Sequence, residues 1–193
     1  MHGFDAVCNS LSTLAAGGFS PNPESLMGYH SNYLTWVTLI FMFLAGASFN
    51  VQYRAIVQKN PMVLFKNEEF KLYFSLVMLM AVLITISLII NTHSTVFQGF
   101  TDALYQVISI TTSTGSASVD FINWDYTSKL LLFMVMFMGS CAGSAGGGIK
   151  MVRWLIVYRS MKSELLRILH PNAIVNIKVD NKTVPAEVSR QIV

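Results

Sequence analysis

Phe70–Ile90 carries no charge beyond Lys71 and is dominated by Leu, Ile, Val, Met and Phe. At a rise of about 1.5 Å per residue, roughly 20 apolar residues in a helix cross the ~30 Å hydrocarbon core of a bilayer. This run is long enough, and lipid leaves it few other conformations. Backbone N–H and C=O groups find no water there, so a segment facing lipid must satisfy them internally, as a helix does. Phe70–Ile90 is therefore read as a transmembrane helix, and its neighbours as parts of a membrane protein. The balance of residues agrees: 53% of the 193 are hydrophobic and 12% charged, against roughly a quarter charged in soluble domains.

The charges are segregated. Lys and Arg are missing from Met1–Tyr53 and again from Leu72–Ser128, whereas Arg54, Lys59, Lys66 and Lys71 fill the connection preceding the central run. Arg153, Arg159, Lys162 and Arg167 follow or close the last run. Short cytoplasmic loops concentrate Lys and Arg, which predicts that residues 54–71 and those after about 153 face the cytoplasm, and that 1–32 and 92–128 face outward. Residues 1–12 do not resemble a signal peptide, because no basic region precedes the apolar part and no cleavage pattern follows. Cys8 and Cys141 lie in or near membrane segments and suggest neither a disulfide framework nor a metal site. His2, His30, His93 and His170 fall on expected loops and are not read as metal ligands.

Two more runs are long enough to span. Tyr33–Val51 has Tyr33 and Trp36 at one edge and Tyr53 and Arg54 at the other, an aromatic belt and a positive flank. Tyr126–Val157 is interrupted by Gly139–Ser140–Cys141–Ala142–Gly143–Ser144–Ala145–Gly146–Gly147–Gly148, with Lys150 just beyond. Gly139, Gly143 and Gly147 form overlapping GxxxG steps of the kind that lets helices pack closely. Three consecutive glycines exceed that need, and each costs a helix interior about 1 kcal/mol, which favours an unwound segment at membrane depth. After Arg159–Leu169, Ile174–Val179 alternates like a strand, and Asp180–Asn181–Lys182 reads as a turn toward Thr183–Val184.

Between the second and third runs, the mostly apolar Phe97–Ile108 is too short to cross. It leads into Ser109–Ile110–Thr111–Thr112–Ser113–Thr114–Gly115–Ser116–Ala117, rich in hydroxyls and free of charge. One reading is an outer turn between helices. The other is a short helix that enters the membrane and returns as a loop lining a water-filled cavity. Internal repetition favours the second. At an offset of 97 residues, Asp5 meets Asp102, Ser12 meets Ser109, Gly18 meets Gly115 and Gly46 meets Gly143, without a gap. Short helix, glycine-bearing polar loop, outer connection and spanning helix thus occur twice. Asp5 and Asp102 are expected in the first turns of the short helices, where the helix dipole favours negative charge. The C-terminal ends would offer partial negative charge toward the midplane.

Three stretches, Ser12–Thr13–Leu14–Ala15–Ala16–Gly17–Gly18–Phe19–Ser20, Thr111–Thr112–Ser113–Thr114–Gly115–Ser116 and Gly139–Lys150, resemble the Trk-type potassium uptake proteins of the Trk/Ktr/HKT superfamily. The resemblance covers nearly the whole chain. It implies an all-α membrane protein of the potassium-channel type, built from repeated helix–pore loop–helix units with one broken inner helix, four units surrounding a pore. Residues 1–58 would be the pore helix, filter loop and inner helix of a second unit. Residues 59–158 would be the complete third unit, and 159–193 a cytoplasmic connector with a hairpin. On this basis the chain is expected to be a fragment, or one piece of a larger pore, unable to conduct alone.

By the same resemblance the ion filter would comprise Ala16, Gly17, Gly18 and Phe19 with Ser113, Thr114, Gly115 and Ser116, and K⁺ would sit at the carbonyls of Gly18 and Gly115. The gate would comprise Gly139, Ser140, Gly143, Ser144, Gly146, Gly147, Gly148 and Lys150. No covalently bound cofactor is implied, and K⁺ is the permeant ion. The implied partners are membrane lipid, the missing pore units of the same polypeptide, a second copy in a homodimer and a cytoplasmic nucleotide-binding regulatory subunit, with no nucleic acid. That subunit would meet Arg153, Arg159, Lys162, Arg167 and the hairpin, although positive-inside flanking or anionic lipid explains each charge singly. The implied location is a bacterial cytoplasmic (inner) membrane, crossed several times.

The function expected is potassium uptake through a carbonyl-lined filter, closed by the glycine-rich loop. The alternative is a secondary transporter coupled to H⁺ or Na⁺, whose broken helix forms a midplane binding site; few intramembrane acids are available for it. An intramembrane enzyme is disfavoured, since neither HExxH nor GxSxG occurs.

Overall fold

The computed structural model describes residues 1–92, 95–169, 178–180 and 182–183. Eight α-helices follow in order: α1 (Gly3–Leu14), α2 (Asn32–Gly46), α3 (Phe49–Val57), α4 (Met62–Lys66), α5 (Glu68–Thr92), α6 (Val96–Thr111), α7 (Tyr126–Met136) and α8 (Met151–Leu169). A two-residue antiparallel pair, β1 (Lys178–Val179) with β2 (Lys182–Thr183), closes the described chain. The hairpin therefore forms with a shorter pairing than its alternation suggests; Ile174–Ile177, Asn181 and Val184 lie outside the described residues.

The central apolar run becomes α5, and its window Glu68–Asn91 is long and apolar enough to cross a membrane. The other two runs do not form single helices. Tyr33–Val51 turns by 103° between α2 and α3, where Ala47 and Ser48 both adopt extended backbone. Kinks this sharp need a local cause and new partners for the freed carbonyls. Gln52 is one such partner, donating through Nε2 to Leu44 O at 2.6 Å and to Ala47 O at 3.0 Å. Main-chain N–H groups from beyond α7 supply others: Cys141 N reaches Gly46 O at 3.0 Å and Ala145 N reaches Ala45 O at 3.1 Å. The third run ends as helix at Met136 and resumes at Met151, so the glycine-rich stretch is loop throughout.

The short helix α6 lies at the centre, packed against α2, α5 and α7. Every residue from Ala103 to Ser109 is buried. Around it, Met42, Tyr73, Val77, Ala81, Ile84 and Val135 form the core with its own Ile108, each at most 1% exposed. In lipid such packing rests on close contact and hydrogen bonds rather than on escape from water. Buried hydroxyls meet that condition by returning to their own helices: Thr85 donates to Ala81 O at 2.6 Å and Thr111 to Val107 O at 2.7 Å.

One expectation about the repeat fails here. Asp5 lies in the first turn of α1, but α6 begins at Val96, so Asp102 sits well inside the helix. The second short helix extends further toward its N-terminus than the first, and its first turn contains no acidic residue.

Candidate functional site

The two polar loops leave their helices by the same route. Ala15 and Thr112 end α1 and α6 with nearly the same backbone, φ −81° and ψ 0° against φ −83° and ψ −4°. Gly17 N then bonds Ser12 O at 2.8 Å, and Thr114 N bonds Ser109 O at 2.9 Å. Next come two left-handed residues separated by one: Ala16 (φ 52°) and Gly18 (φ 71°), then Ser113 (φ 59°) and Gly115 (φ 75°). Non-glycine residues are uncommon at positive φ, yet Ala16 and Ser113 occupy it at matched places. Placing every second residue in the left-handed region lets successive carbonyls turn to one side, unlike the alternating carbonyls of a strand.

The loops touch. A Cβ added to Gly18 would fall on the Thr114 carbonyl oxygen and come within 3.5 Å of Gly115 C, so the close approach excludes any side chain at Gly18. Further out the connections are stitched together: Met27 N donates to Ala117 O at 3.1 Å, and Ser25 Oγ pairs with Ser116 Oγ at 3.2 Å. Gly18, Thr114 and Gly115 are therefore neighbours. Phe19 stands apart with 83% exposure.

The hydroxyls of Ser109, Thr112, Thr114 and Ser116 are spent on the scaffold. Thr112 donates to Ile108 O at 2.8 Å, and Thr114 Oγ1 pairs with Thr112 Oγ1 at 2.8 Å. Ser109 donates to Ser116 O at 2.6 Å, while the Ser116 hydroxyl pairs with Tyr105 OH at 2.8 Å. Thr112, Thr114 and Ser116 are buried, whereas Ser113 and Gly115 between them are exposed. With the threonine side chains turned inward, the main-chain oxygens and the Ser113 hydroxyl are the polar groups this loop leaves exposed.

The glycine-rich loop folds back beneath this second loop. Its ends pair with each other, Gly139 N to Ile149 O at 3.0 Å and Met151 N to Ser140 O at 3.1 Å. Phe49 N, at the bend between α2 and α3, donates to Gly143 O at 3.0 Å. Ser144 donates to Cys141 O at 2.6 Å and lies 2.8 Å from Ser140 Oγ. The Lys150 ammonium reaches back to Gly146 O. A side chain at Gly146 would meet Ser140 and come within 2.8 Å of Thr112 O, and one at Gly147 would lie 3.2 Å from Ser113 Oγ. Gly148, left-handed at φ 76°, turns the chain toward α8. Gly146 and Gly147 thus lie against Thr112 and Ser113, where α6 terminates, whereas Gly143 lies against Ser48 and Asn50 at the bend between α2 and α3.

Ser25, Gln52, Glu69 and Tyr105 were not singled out by sequence. Glu69 is 7% exposed, and its carboxylate accepts from Ala142 N at 2.6 Å and Val152 N at 3.1 Å. An acid on the edge of an apolar run and a glutamine in an apolar stretch were the available signals.

The family model for TrkH, described as a cation transport protein, matches residues 1–192. The Trk system potassium uptake protein TrkH of Escherichia coli (strain K12) is 30% identical over 189 residues, covering 97% of this chain and 39% of that protein. TrkH of Vibrio parahaemolyticus serotype O3:K6 is 34% identical over 189 residues, with 96% and 39% covered. The crystal structure of the potassium transporter TrkH from Vibrio parahaemolyticus superposes with a TM-score of 0.91 at 30% identity, covering 100% of this chain and 42% of that one. The chain spans about two-fifths of the length of the curated relatives it matches. With a family match along its length and a solved structure of the same fold, the chain belongs to the TrkH family of membrane cation transport proteins.

Proposed function

We propose that this chain forms two of the four sides of a potassium-uptake pore in a bacterial cytoplasmic membrane. In this reading K⁺ exchanges water for main-chain oxygens of Ala16–Phe19 and Ser113–Ser116, with the carbonyls of Gly18 and Gly115 at the selectivity position. Such a site must bind strongly enough to replace hydration and weakly enough to release the ion. The relatives are potassium uptake proteins by name, which supports potassium as the ion. The observation that carries the reading is the matched alternation of left-handed residues in two touching loops. The remaining sides come from further units of the full-length protein, which also acts as a homodimer with a cytoplasmic nucleotide-binding regulatory subunit.

Gly139–Gly148 is the gate in this reading. What supports it is the position of Gly146 and Gly147 against Thr112 and Ser113, with a lysine ammonium on the loop's own carbonyl. A cation leaving the filter would meet backbone and a positive charge. Gly115→Arg in the full-length protein tests the filter assignment. A long cation at an open, inward-facing position is expected to abolish K⁺-dependent growth of an uptake-deficient strain, with the protein still in the membrane. Normal growth would overturn the assignment.

A further inference from the structure

Glu69 is a carboxylate buried in the first turn of α5, one residue into a helix that is otherwise apolar for most of its length. Burying such a group is costly unless hydrogen bonds compensate. Its partners are not on α5. They are the main-chain N–H groups of Ala142, near the start of the glycine-rich loop, and of Val152, in the first turn of α8. One oxygen, Oε1, therefore spans both ends of the break in the inner helix.

The position is favourable for both bonds. The opening N–H groups of a helix lack intrahelical partners, and the dipole there favours negative charge. Bonds to an ionised acceptor are about twice as strong as neutral ones. The neighbouring Glu68 fixes the same end of α5 to α8 from outside, since Arg159 reaches its Oε2 at 2.9 Å. Asp180 of the hairpin adds to that anchor: its carboxylate accepts from Asn67 Nδ2 at 2.6 Å and Glu68 N at 2.9 Å. Consecutive glutamates thus hold the loop and the helix that follows it.

We propose that Glu69 is the latch of the glycine-rich loop, a positioning residue that keeps Gly146 and Gly147 against the inner end of the second pore loop. The inference rests on reading that loop as the gate. Without the latch, both ends of the break lose their shared anchor, and the loop leaves its place while the filter above it is unchanged.

Cys141 is adjacent to the latched residue and 0% exposed, so it reports on the loop without reference to ion flow. In full-length protein with every other cysteine removed, Glu69→Ala is expected to raise the rate of Cys141 labelling by a maleimide at least about tenfold, as for any site opened by local release. Potassium flux without the regulatory subunit should rise several-fold at unchanged K⁺/Na⁺ selectivity. Glu69→Gln keeps a neutral acceptor of the same shape and should fall between wild type and Glu69→Ala. If Glu69→Ala does not reach the membrane, Glu69→Asp, one methylene short of the two amides, carries the same test. Labelling at the wild-type rate in a well-inserted variant overturns the latch. Faster labelling with unaltered flux upholds the latch and overturns the gate reading instead. A fall in selectivity along with faster labelling also overturns the proposal, because the filter would have moved too.

Discussion

From Leu11 to Gly17 the first loop follows the second, Ile108 to Thr114, bond for bond: Ala15 N to Leu11 O matches Thr112 N to Ile108 O, and Ala16 N to Thr13 O matches Ser113 N to Ile110 O. Their supports differ. Tyr105 and Ser116 brace the second loop with paired hydroxyls, whereas the matching positions of the first are Cys8 and Phe19. Ser109 donates to Ser116 O, while its counterpart Ser12 has a buried hydroxyl without a partner among the described residues. The helices differ likewise: from Gly99 onward no residue of α6 is exposed, whereas Phe4, Val7 and Leu11 on α1 are more than half exposed. A single backbone geometry is thus held by two sets of neighbours. The second loop is braced from within the chain, and the first leans on it through Gly18 and Ser25.

The largest effect is expected where the loops meet. Gly18→Ala adds a methyl onto the Thr114 carbonyl and leaves a left-handed side chain whose strain alone costs about 1 kcal/mol. Gly115→Ala carries the same strain, but a Cβ there meets nothing within 4 Å. In ⁸⁶Rb⁺ uptake by cells expressing the full-length protein, Gly18→Ala should lose nearly all flux, whereas Gly115→Ala keeps a measurable part. Equal losses would break the comparison, because strain rather than loop contact would then dominate. Next comes the brace. Tyr105→Phe removes one hydroxyl pair, worth about 1 kcal/mol, and should lower the melting temperature by a few degrees and K⁺/Na⁺ selectivity a few-fold. At the matching place Cys8→Ala should change neither.

The two inner helices make a second contrast, and it marks how far sequence can be read. The break in the third run was legible because three consecutive glycines disfavour helix so strongly. The 103° turn of the first run was not, since Leu44–Ala45–Gly46–Ala47–Ser48–Phe49 reads as unremarkable apolar helix. That turn depends on tertiary partners, with Cys141 and Ala145 bonding the carbonyls that a continuous helix would have satisfied itself. The pairing of Gly18 with Gly115 was legible from the repeat, because positive φ and close approach both select glycine. Glu69 escaped notice for the opposite reason: its partners are peptide N–H groups, which no side-chain pattern announces. Extension of α6 beyond Asp102 was missed because the offset of 97 carried α1's boundary onto a helix with more neighbours.

The smallest expected effect lies where the second inner helix begins. Asp125 caps α7, accepting from Ser128 N at 3.1 Å and Ser128 Oγ at 2.6 Å, and it ties that cap to α5 through Ser87 Oγ at 2.8 Å. The corresponding helix of the first copy starts at Ser31 with no side-chain cap. Desolvation pushes the Asp125 carboxyl up, but its hydrogen bonds from Ser128 and Ser87 outweigh that and hold it below the ordinary carboxylate value. A carboxyl with a depressed folded-state pKa stabilises the fold above its unfolded value of about 4, and that contribution disappears as pH falls through the folded value. Asp125→Ala should therefore cost about 1 kcal/mol at neutral pH, read as a small drop in thermal unfolding temperature of the detergent-solubilised full-length protein. The gap between the two proteins should narrow as the buffer is taken below about pH 4, because protonation removes from the wild type the charged acceptor that the variant already lacks. A gap that stays constant across that range would mean the cap acts through packing rather than through its charge, and the asymmetry between the two inner helices would then have to lie in the α5 contact alone.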